Sequence, residues 1–320
     1  MPVLLSVVVP VYNESEGIKL FHDLLAPFAQ KASNNSYEII YVNDGSKDDT
    51  LQILSKISKT NPSVKIVNLS RNFGKEIATT AGISIAGGDA TIIMDGDGQH
   101  PPAIISDFIK KWKNGAQVVV GVRSSNENEG FVKKWGSKVF YQLFNSVSGA
   151  EIKPRSTDYR LIDKVVRKEF LRFTERQRIT RGLIDWLGFK REFITFEAPA
   201  RLAGEASYKT SQLIKLALNS FTSLSLRPLF FFGWIGAIIT AGTILVSLFL
   251  VIEYVLFGDV LNIGITNSGI LGILTAFLVG LVLTSQGMIA IYLSHVHSQT
   301  QARPLFVIDT STSMNIKDAN

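Results

Sequence analysis

Short apolar runs and amphipathic stretches alternate through the first 123 residues. Residues 5–11 (LSVVVPV), 37–42 (YEIIYV), 64–69 (VKIVNL), 90–95 (ATIIMD) and 116–123 (AQVVVGVR) are nearly continuous apolar segments rich in β-branched side chains. That is the pattern of strands buried on both faces. Between them, residues 15–32, the stretch after Ser46-Lys47-Asp48-Asp49, residues 75–86 and the Pro-started segment 102–112 space their apolar positions as helices do. The alternation predicts an α/β domain, a mostly parallel sheet with helices on both faces. Ligands of such sheets bind at the carboxyl ends of the strands.

The pattern changes after residue 228. Residues 229–257 form an apolar run with Glu253 as its only charge, and residues 269–294 form a second with none. Each exceeds the roughly 20 residues that cross a bilayer core. Arg227 precedes the first run and Arg303 follows the second, whereas the loop 258–268 carries Asp259 and no Lys or Arg. The positive-inside rule then puts both termini in the cytoplasm and the loop outside. The expected organisation is a catalytic domain at 1–206, an amphipathic interface helix at 207–228, membrane helices at 229–257 and 269–294 around the loop, and a cytoplasmic tail at 295–320. The amino-terminal residues lack a basic region ahead of their apolar ones, so no signal peptide is expected. Small-residue spacing between Gly236 and Thr240 permits helix–helix contacts, and hence a homo-oligomer.

Composition narrows the chemistry. Cysteine is absent and there are four histidines, which excludes disulfides, thiolate nucleophiles and Cys-built metal sites. A metal here must sit on carboxylates. The formal charge of +6 divides unevenly, because residues 229–320 hold two basic and four acidic residues and the remainder carries +8. A basic half ahead of an apolar half suits anionic lipid headgroups or phosphates. No helix-turn-helix, zinc-finger or RNP-like signature accompanies it, so no nucleic-acid partner is expected.

The strand ends hold the unusual residues: Pro10-Val11-Tyr12-Asn13-Glu14, Asn43-Asp44-Gly45-Ser46, Ser70-Arg71-Asn72-Phe73-Gly74-Lys75 and Asp95-Gly96-Asp97-Gly98-Gln99-His100. Neither GxGxxG nor GxxxxGK[ST] occurs, so the dinucleotide and P-loop cradles are missing. Asp95 and Asp97, one residue apart in a Gly-rich turn, can share one hard cation with a diphosphate. An EF-hand does not fit, because His100 and Ser106 stand where its Gly and Glu belong.

With DYRL (158–161), AGEASY (203–208) and two apolar runs behind them, these motifs resemble a family 2 glycosyltransferase, and within it the polyprenyl-phosphate glycosyltransferases. The resemblance covers nearly the whole chain. It implies a GT-A, Rossmann-like catalytic domain followed by two transmembrane helices, and inverting transfer of a sugar from a nucleotide donor to a lipid phosphate. It implies that Pro10, Tyr12, Glu14 and Asp44 hold the nucleoside, and that Asp95, Asp97 and Gln99 form the metal and diphosphate motif with Mg²⁺ or Mn²⁺. Glycines at 96 and 98, where many relatives carry bulkier residues, imply a looser turn. Lys75 stands where a cation approaches the donor phosphates, with a solvated lysine as the plainer alternative.

For the acceptor, Arg123 and Arg201 match positions that contact phosphate, where forked guanidinium donors suit its oxygens. Lys133, Lys134 and Ser137 open the following helix and join them as acceptor-phosphate candidates. Segments 137–147 and 211–226 are amphipathic and suit the membrane interface. Asp158 is expected to orient the acceptor or act as a weak base, with an ion pair to Arg160 or another local cation as the alternative. A processive synthase is disfavoured, since 177–182 lacks the Q-x-x-R-W spacing. The short two-span form with RPLFV at 303–307 resembles the bacterial glucosyltransferases more than the mannose enzymes, which implies UDP-glucose and undecaprenyl phosphate at a bacterial plasma membrane. GDP-mannose and UDP-aminosugars stay open.

Overall fold

The computed structural model describes residues 4–124, 155–176, 178–199, 267–301 and 303–316, with isolated positions between 238 and 252. It divides into one unit of Met1–Tyr208 with Arg303–Asn320 and a second of Lys209–Ala302.

In the first unit the apolar runs form strands β1 (Leu5–Val11), β2 (Tyr37–Asn43), β3 (Val64–Asn68), β4 (Ala90–Ile93) and β5 (Val118–Arg123). Two further strands, β6 (Ser156–Asp163) and β7 (Arg191–Phe196), complete a sheet ordered β3-β2-β1-β4-β6-β5-β7. Pairings β1·β2, β1·β4, β2·β3 and β5·β7 are parallel. Strand β6 runs antiparallel to both its neighbours, so the expectation of a mostly parallel sheet holds with that one exception. Helices α1 (Ile18–Ala32), α2 (Thr50–Thr60) and α4 (Ile105–Lys113) cover one face, the last entered through a 3₁₀ turn at Pro102–Ile104. Helices α3 (Lys75–Ile85), α5 (Lys164–Leu171) and α6 (Thr180–Trp186) cover the other.

Alternation within β1 explains the two cores. Leu5, Val7, Val9 and Val11 point toward α1, where they meet Ile18, Phe21 and Leu25, while Val8 faces Ala78 and Ala81 of α3. A strand buried on both faces must be apolar at every position, which is what the sequence shows. Residues 303–316 lie along the free edge of β3, bridging Ile66 to Met314 and Leu69 to Ile308, with Phe306 and Ile308 packed on the α3-side core.

The second unit contains α7 (Asn267–Thr300), which includes the expected segment 269–294 and continues beyond it. By length and composition this helix is apolar enough to cross a membrane, and Phe277, Val282 and Ile289 are exposed on it. The run 229–257 and the amphipathic segments 137–147 and 211–226 fall outside the described residues, apart from the isolated positions already noted, as does the expected loop 258–268 except for its last two residues, which open α7.

Candidate active site

Parallel strands deliver their carboxyl ends to one edge of the sheet. There β1 presents Pro10, Tyr12 and Glu14, β2 presents Asp44, the turn before α3 presents Asn72, Gly74 and Lys75, and β4 leads into Asp95 and Asp97. Together these residues line a cavity of about 300 Å³. Tyr12 is 42 % exposed, leaving a ring face open to that cavity. Asp44 accepts the backbone N–H groups of Phe73 (2.7 Å) and Gly74 (2.9 Å) on its two oxygens. Burial raises the Asp44 pKa, with those two bonds and Arg71 opposing the rise.

The Asp95 turn is firmly held. His100 Nδ1 accepts the Asp95 N–H at 2.9 Å, which leaves the ring proton on Nε2, and burial pulls the His100 pKa below its ordinary value. His100 stacks on Tyr159 at 4.9 Å, and Tyr159 Oη donates to Pro101 O at 3.0 Å. Asp97 Oδ1 accepts the Gln99 N–H at 3.0 Å, while Gly98 takes a φ of 80° that disfavours side chains. The glycines that implied a looser turn therefore include one the turn's geometry requires.

A second cavity, of about 610 Å³, opens beside the first. It is lined by Arg123 from the end of β5, by Arg155, Ser156, Thr157 and Asp158 around the start of β6, by Arg181 from α6 and by Glu197 after β7, with Asp95 common to both cavities, so three arginines stand among three carboxylates. Because β6 is antiparallel, its first residues reach the same edge as the ends of β4 and β5. Arg123 Nη2 donates to Gln99 Oε1 at 3.0 Å. Among the described residues, Arg123 Nε and Ser156 Oγ are buried without a hydrogen-bond partner. Unsatisfied polar groups in an arginine-lined cavity are what an anionic ligand would complete.

Lys75 joins the two cavities. Its Nζ lies 2.6 Å from Asp95 Oδ1 and 3.0 Å from Asp158 Oδ2. Burial works against the Lys75 ammonium, but the two carboxylates outweigh it and hold its pKa well above the ordinary lysine range. Burial likewise opposes the Asp158 carboxylate, yet Lys75 and then Arg181 hold it well below the usual carboxylate range. The alternative expected for Asp158, a local ion pair, does form, but with Lys75: Arg160 is buried against Asp185 at 2.9 Å. Nor is Lys75 simply solvated. Glu76, beside it, accepts the Thr180 N–H at 2.8 Å and so docks the start of α6, where Arg181 stands.

Of the residues expected from sequence, Pro10, Tyr12, Glu14, Asp44, Lys75, Asp95 and Asp97 meet in the first cavity, and Arg123 and Asp158 in the second. Gln99 sits between them as the partner of Arg123. Arg201, Lys133, Lys134 and Ser137 lie outside the described residues. Sequence reasoning did not find Arg155, Arg181, Ser156 or Thr157. Arg155 directly precedes the DYRL strand and Arg181 sits in the arginine-bearing segment 177–182, so proximity to a motif was the available signal. Among the described residues no three acidic or histidine side chains are grouped so as to hold a metal ion by themselves. Asp95 and Asp97 alone fit a hard cation, as an all-oxygen pair lining one cavity and needing further oxygens from a ligand.

The family model for glycosyl transferase family 2 matches residues 6–171. An uncharacterized glycosyltransferase of Bacillus subtilis is 36 % identical over 98 % of this chain and 95 % of its own length. The bactoprenol glucosyl transferase of Shigella phage SfII is 32 % identical over 96 % of this chain and 98 % of its own. A prophage bactoprenol glucosyl transferase homolog of Escherichia coli is 31 % identical over 95 % and 98 %. Among solved structures, glucosyl-3-phosphoglycerate synthase from Mycobacterium tuberculosis is similar at a TM-score of 0.46 and 16 % identity, over 69 % of this chain and 78 % of that one.

Proposed function

Because the chain belongs to glycosyl transferase family 2, we propose that it is a membrane-bound inverting glucosyltransferase that moves glucose from UDP-glucose to undecaprenyl phosphate. The observation that carries this reading is the pair of adjoining cavities, one acidic with an open tyrosine ring and one lined by arginines, sharing Asp95. The names of the bactoprenol relatives support the acceptor, and the apolar helix α7 supports the membrane.

In this reading the nucleoside lies against Tyr12 with Asp44 and Glu14 at its polar edge. Asp95 and Asp97 would hold Mg²⁺ or Mn²⁺, which supplies positive charge to the departing diphosphate. Lys75 keeps Asp95 and Asp158 charged and in place. Arg123, Arg155 and Arg181 receive the lipid phosphate, and Arg201, Lys133, Lys134 and Ser137 are further candidates for the same role. A phosphate monoester has a second pKa of about 6, so the acceptor oxygen arrives largely ionised and needs no strong base. That agrees with an Asp158 held ionised, which orients the arginines and the acceptor and takes up no proton. The arginines align an anionic oxygen with the anomeric carbon on the face opposite the diphosphate, which inverts the configuration.

Transfer of labelled glucose from UDP-glucose into a lipid extract, against transfer into insoluble polymer, tests the proposal. Label in a mild-acid-labile lipid, lost in Asp95→Asn and Asp97→Asn and in EDTA, is the expected result. Label in polymer, or transfer from GDP-mannose alone, refutes the acceptor or the donor respectively.

A further inference from the structure

The segment after α7 returns to the first unit and makes contacts that edge protection alone does not require. Ser70 N donates to Val307 O at 3.0 Å and Asp309 N donates to Asn68 O at 2.8 Å, so residues 303–316 extend the sheet beyond β3 just ahead of the Asn72–Lys75 turn. More unusual is a chain of side chains running inward from it. The Asn13 N–H donates to Ser46 Oγ (2.9 Å), whose hydroxyl donates to Asn43 Oδ1. Asn43 Nδ2 donates to Asn68 Oδ1 (2.7 Å), Asn68 Nδ2 to Thr312 Oγ1 (2.7 Å), and the Thr312 hydroxyl to Asp309 Oδ2 (2.8 Å).

The direction of this chain is fixed at both ends. A backbone N–H only donates and an ionised carboxylate only accepts, so every amide and hydroxyl between them is forced into one sense. Hydrogen bonds from Ser311 and Thr312 keep the Asp309 pKa below the usual carboxylate range, which maintains the accepting end. Hydrogen bonds aligned in this way polarise and strengthen one another. Asn43 and Asn68 are buried, so the chain runs beneath the surface and emerges at the loop between Tyr12 and Glu14. The chain ends at Asn13, between Tyr12 and Glu14 of the first cavity, and the backbone pairing ends at Ser70, two residues before Asn72 of the same cavity. Neither reaches the arginine-lined one.

We propose that residues 303–316 are a positioning element of the donor cavity, holding the Tyr12–Glu14 loop through the one-way chain that ends on Asp309 and steadying the approach to the Asn72–Lys75 turn through the Ser70–Val307 backbone pairing. Asn43, Ser46, Asn68, Thr312 and Asp309 are positioning residues; none lines the cavity. This assignment rests on reading that cavity as the nucleotide site, and its test separates the two.

The test uses the full chain in detergent, with UDP and Mg²⁺ as the probe by calorimetry and separate Michaelis constants for UDP-glucose and polyprenyl phosphate. Thr312→Val keeps the shape and removes the relay. It should weaken UDP binding and raise the donor constant about fivefold to twentyfold, the loss of one bond in a polarised chain. The acceptor constant should stay put, and Thr312→Ser should return both donor readings to within about twofold of wild type. Asp309→Asn, at a half-buried position, should act in the same direction and more weakly. A wild-type protein that binds neither UDP nor GDP overturns the nucleotide reading and this role with it. Wild-type binding with Thr312→Val and Asp309→Asn both unchanged overturns the role alone. So does a parallel loss of donor and acceptor constants, the mark of a general structural defect.

Discussion

Lys75 is the residue whose removal has the most calculable effect. Its nitrogen touches one oxygen of Asp95 and one of Asp158, at 2.6 and 3.0 Å, so those oxygens are separated by no more than the two contacts laid end to end. At roughly 5.5 Å and an effective dielectric constant near 20, two like charges repel by about 3 kcal/mol. The three side chains are partly exposed, at 38 %, 26 % and 27 %, so water screens part of that. A net cost of about 1–3 kcal/mol follows for Lys75→Met.

The carboxylates relieve this repulsion by turning apart or by taking up a proton. Either response disturbs Asp95 and the arginine facing Asp158. Transfer in Lys75→Met should therefore fall about 10- to 100-fold at neutral pH, the same energy expressed as a rate. Lys75→Arg keeps the cation between the carboxylates and should retain most of the activity, while Lys75→Met,Asp158→Asn should lose less than the two single changes added together. The assay is single-turnover glucose transfer in detergent at saturating donor, with thermal unfolding followed alongside. A Lys75→Met enzyme as fast as wild type, or a double variant whose losses simply add, would refute the bridging role.

Arg155→Ala and Arg181→Ala should each raise the polyprenyl phosphate constant about 10- to 100-fold, from charge-assisted hydrogen bonds of roughly 1.5–3 kcal/mol, and leave UDP binding by calorimetry unchanged. His22 is buried with Nδ1 3.0 Å from Tyr41 Oη, and burial lowers its pKa against the pull of Asp23. It is neutral when folded and protonates when unfolded below about pH 6.5. Its share of stability is thus present above that pH and lost as pH falls through it, and His22→Gln should reduce the drop in melting temperature between about pH 7.5 and pH 5.5. The chain has no cysteine, so Asn262→Cys and Lys31→Cys report topology cleanly: an impermeant maleimide added to intact cells should label the first and spare the second.

The strands and helices of the first 123 residues were legible because burial on both faces forces continuous apolar runs, and amphipathic helices must keep a wet side. Strand ends were legible as sites for the same reason, since Asp44, Asp95 and Asp97 interrupt runs that otherwise admit no charge. Periodicity carries no sign, however, so DYRL could be read as a motif but not as a strand, still less as one running backwards. Arg155 and Arg181 were hidden because they are contributed by segments distant in sequence from the acidic turn. The tail at 303–316 was read as an appendage. Its threonines and serines look solvated in one dimension, and only the free edge of β3 gives them partners.

The reversed strand has a consequence for the chemistry. In the β4·β6 ladder Ala90 faces Asp163 and Ile93 faces Arg160. Continuing that register two residues further sets Asp95 opposite Asp158. Like charges directly opposite on neighbouring strands are destabilising, so the sheet by itself would not hold them together. The first turn of α3, packed on the same edge, supplies Lys75 as the cation between them. Had β6 run parallel, its first residues would lie at the opposite edge, about 15–20 Å away at 3.3 Å per residue. Asp158 would then not stand opposite Asp95, and Lys75 would have one carboxylate to hold instead of two. One antiparallel strand thus brings the chain's two anion-handling surfaces together, and a single lysine offsets the repulsion between the two carboxylates, so its loss should impair donor and acceptor sides together.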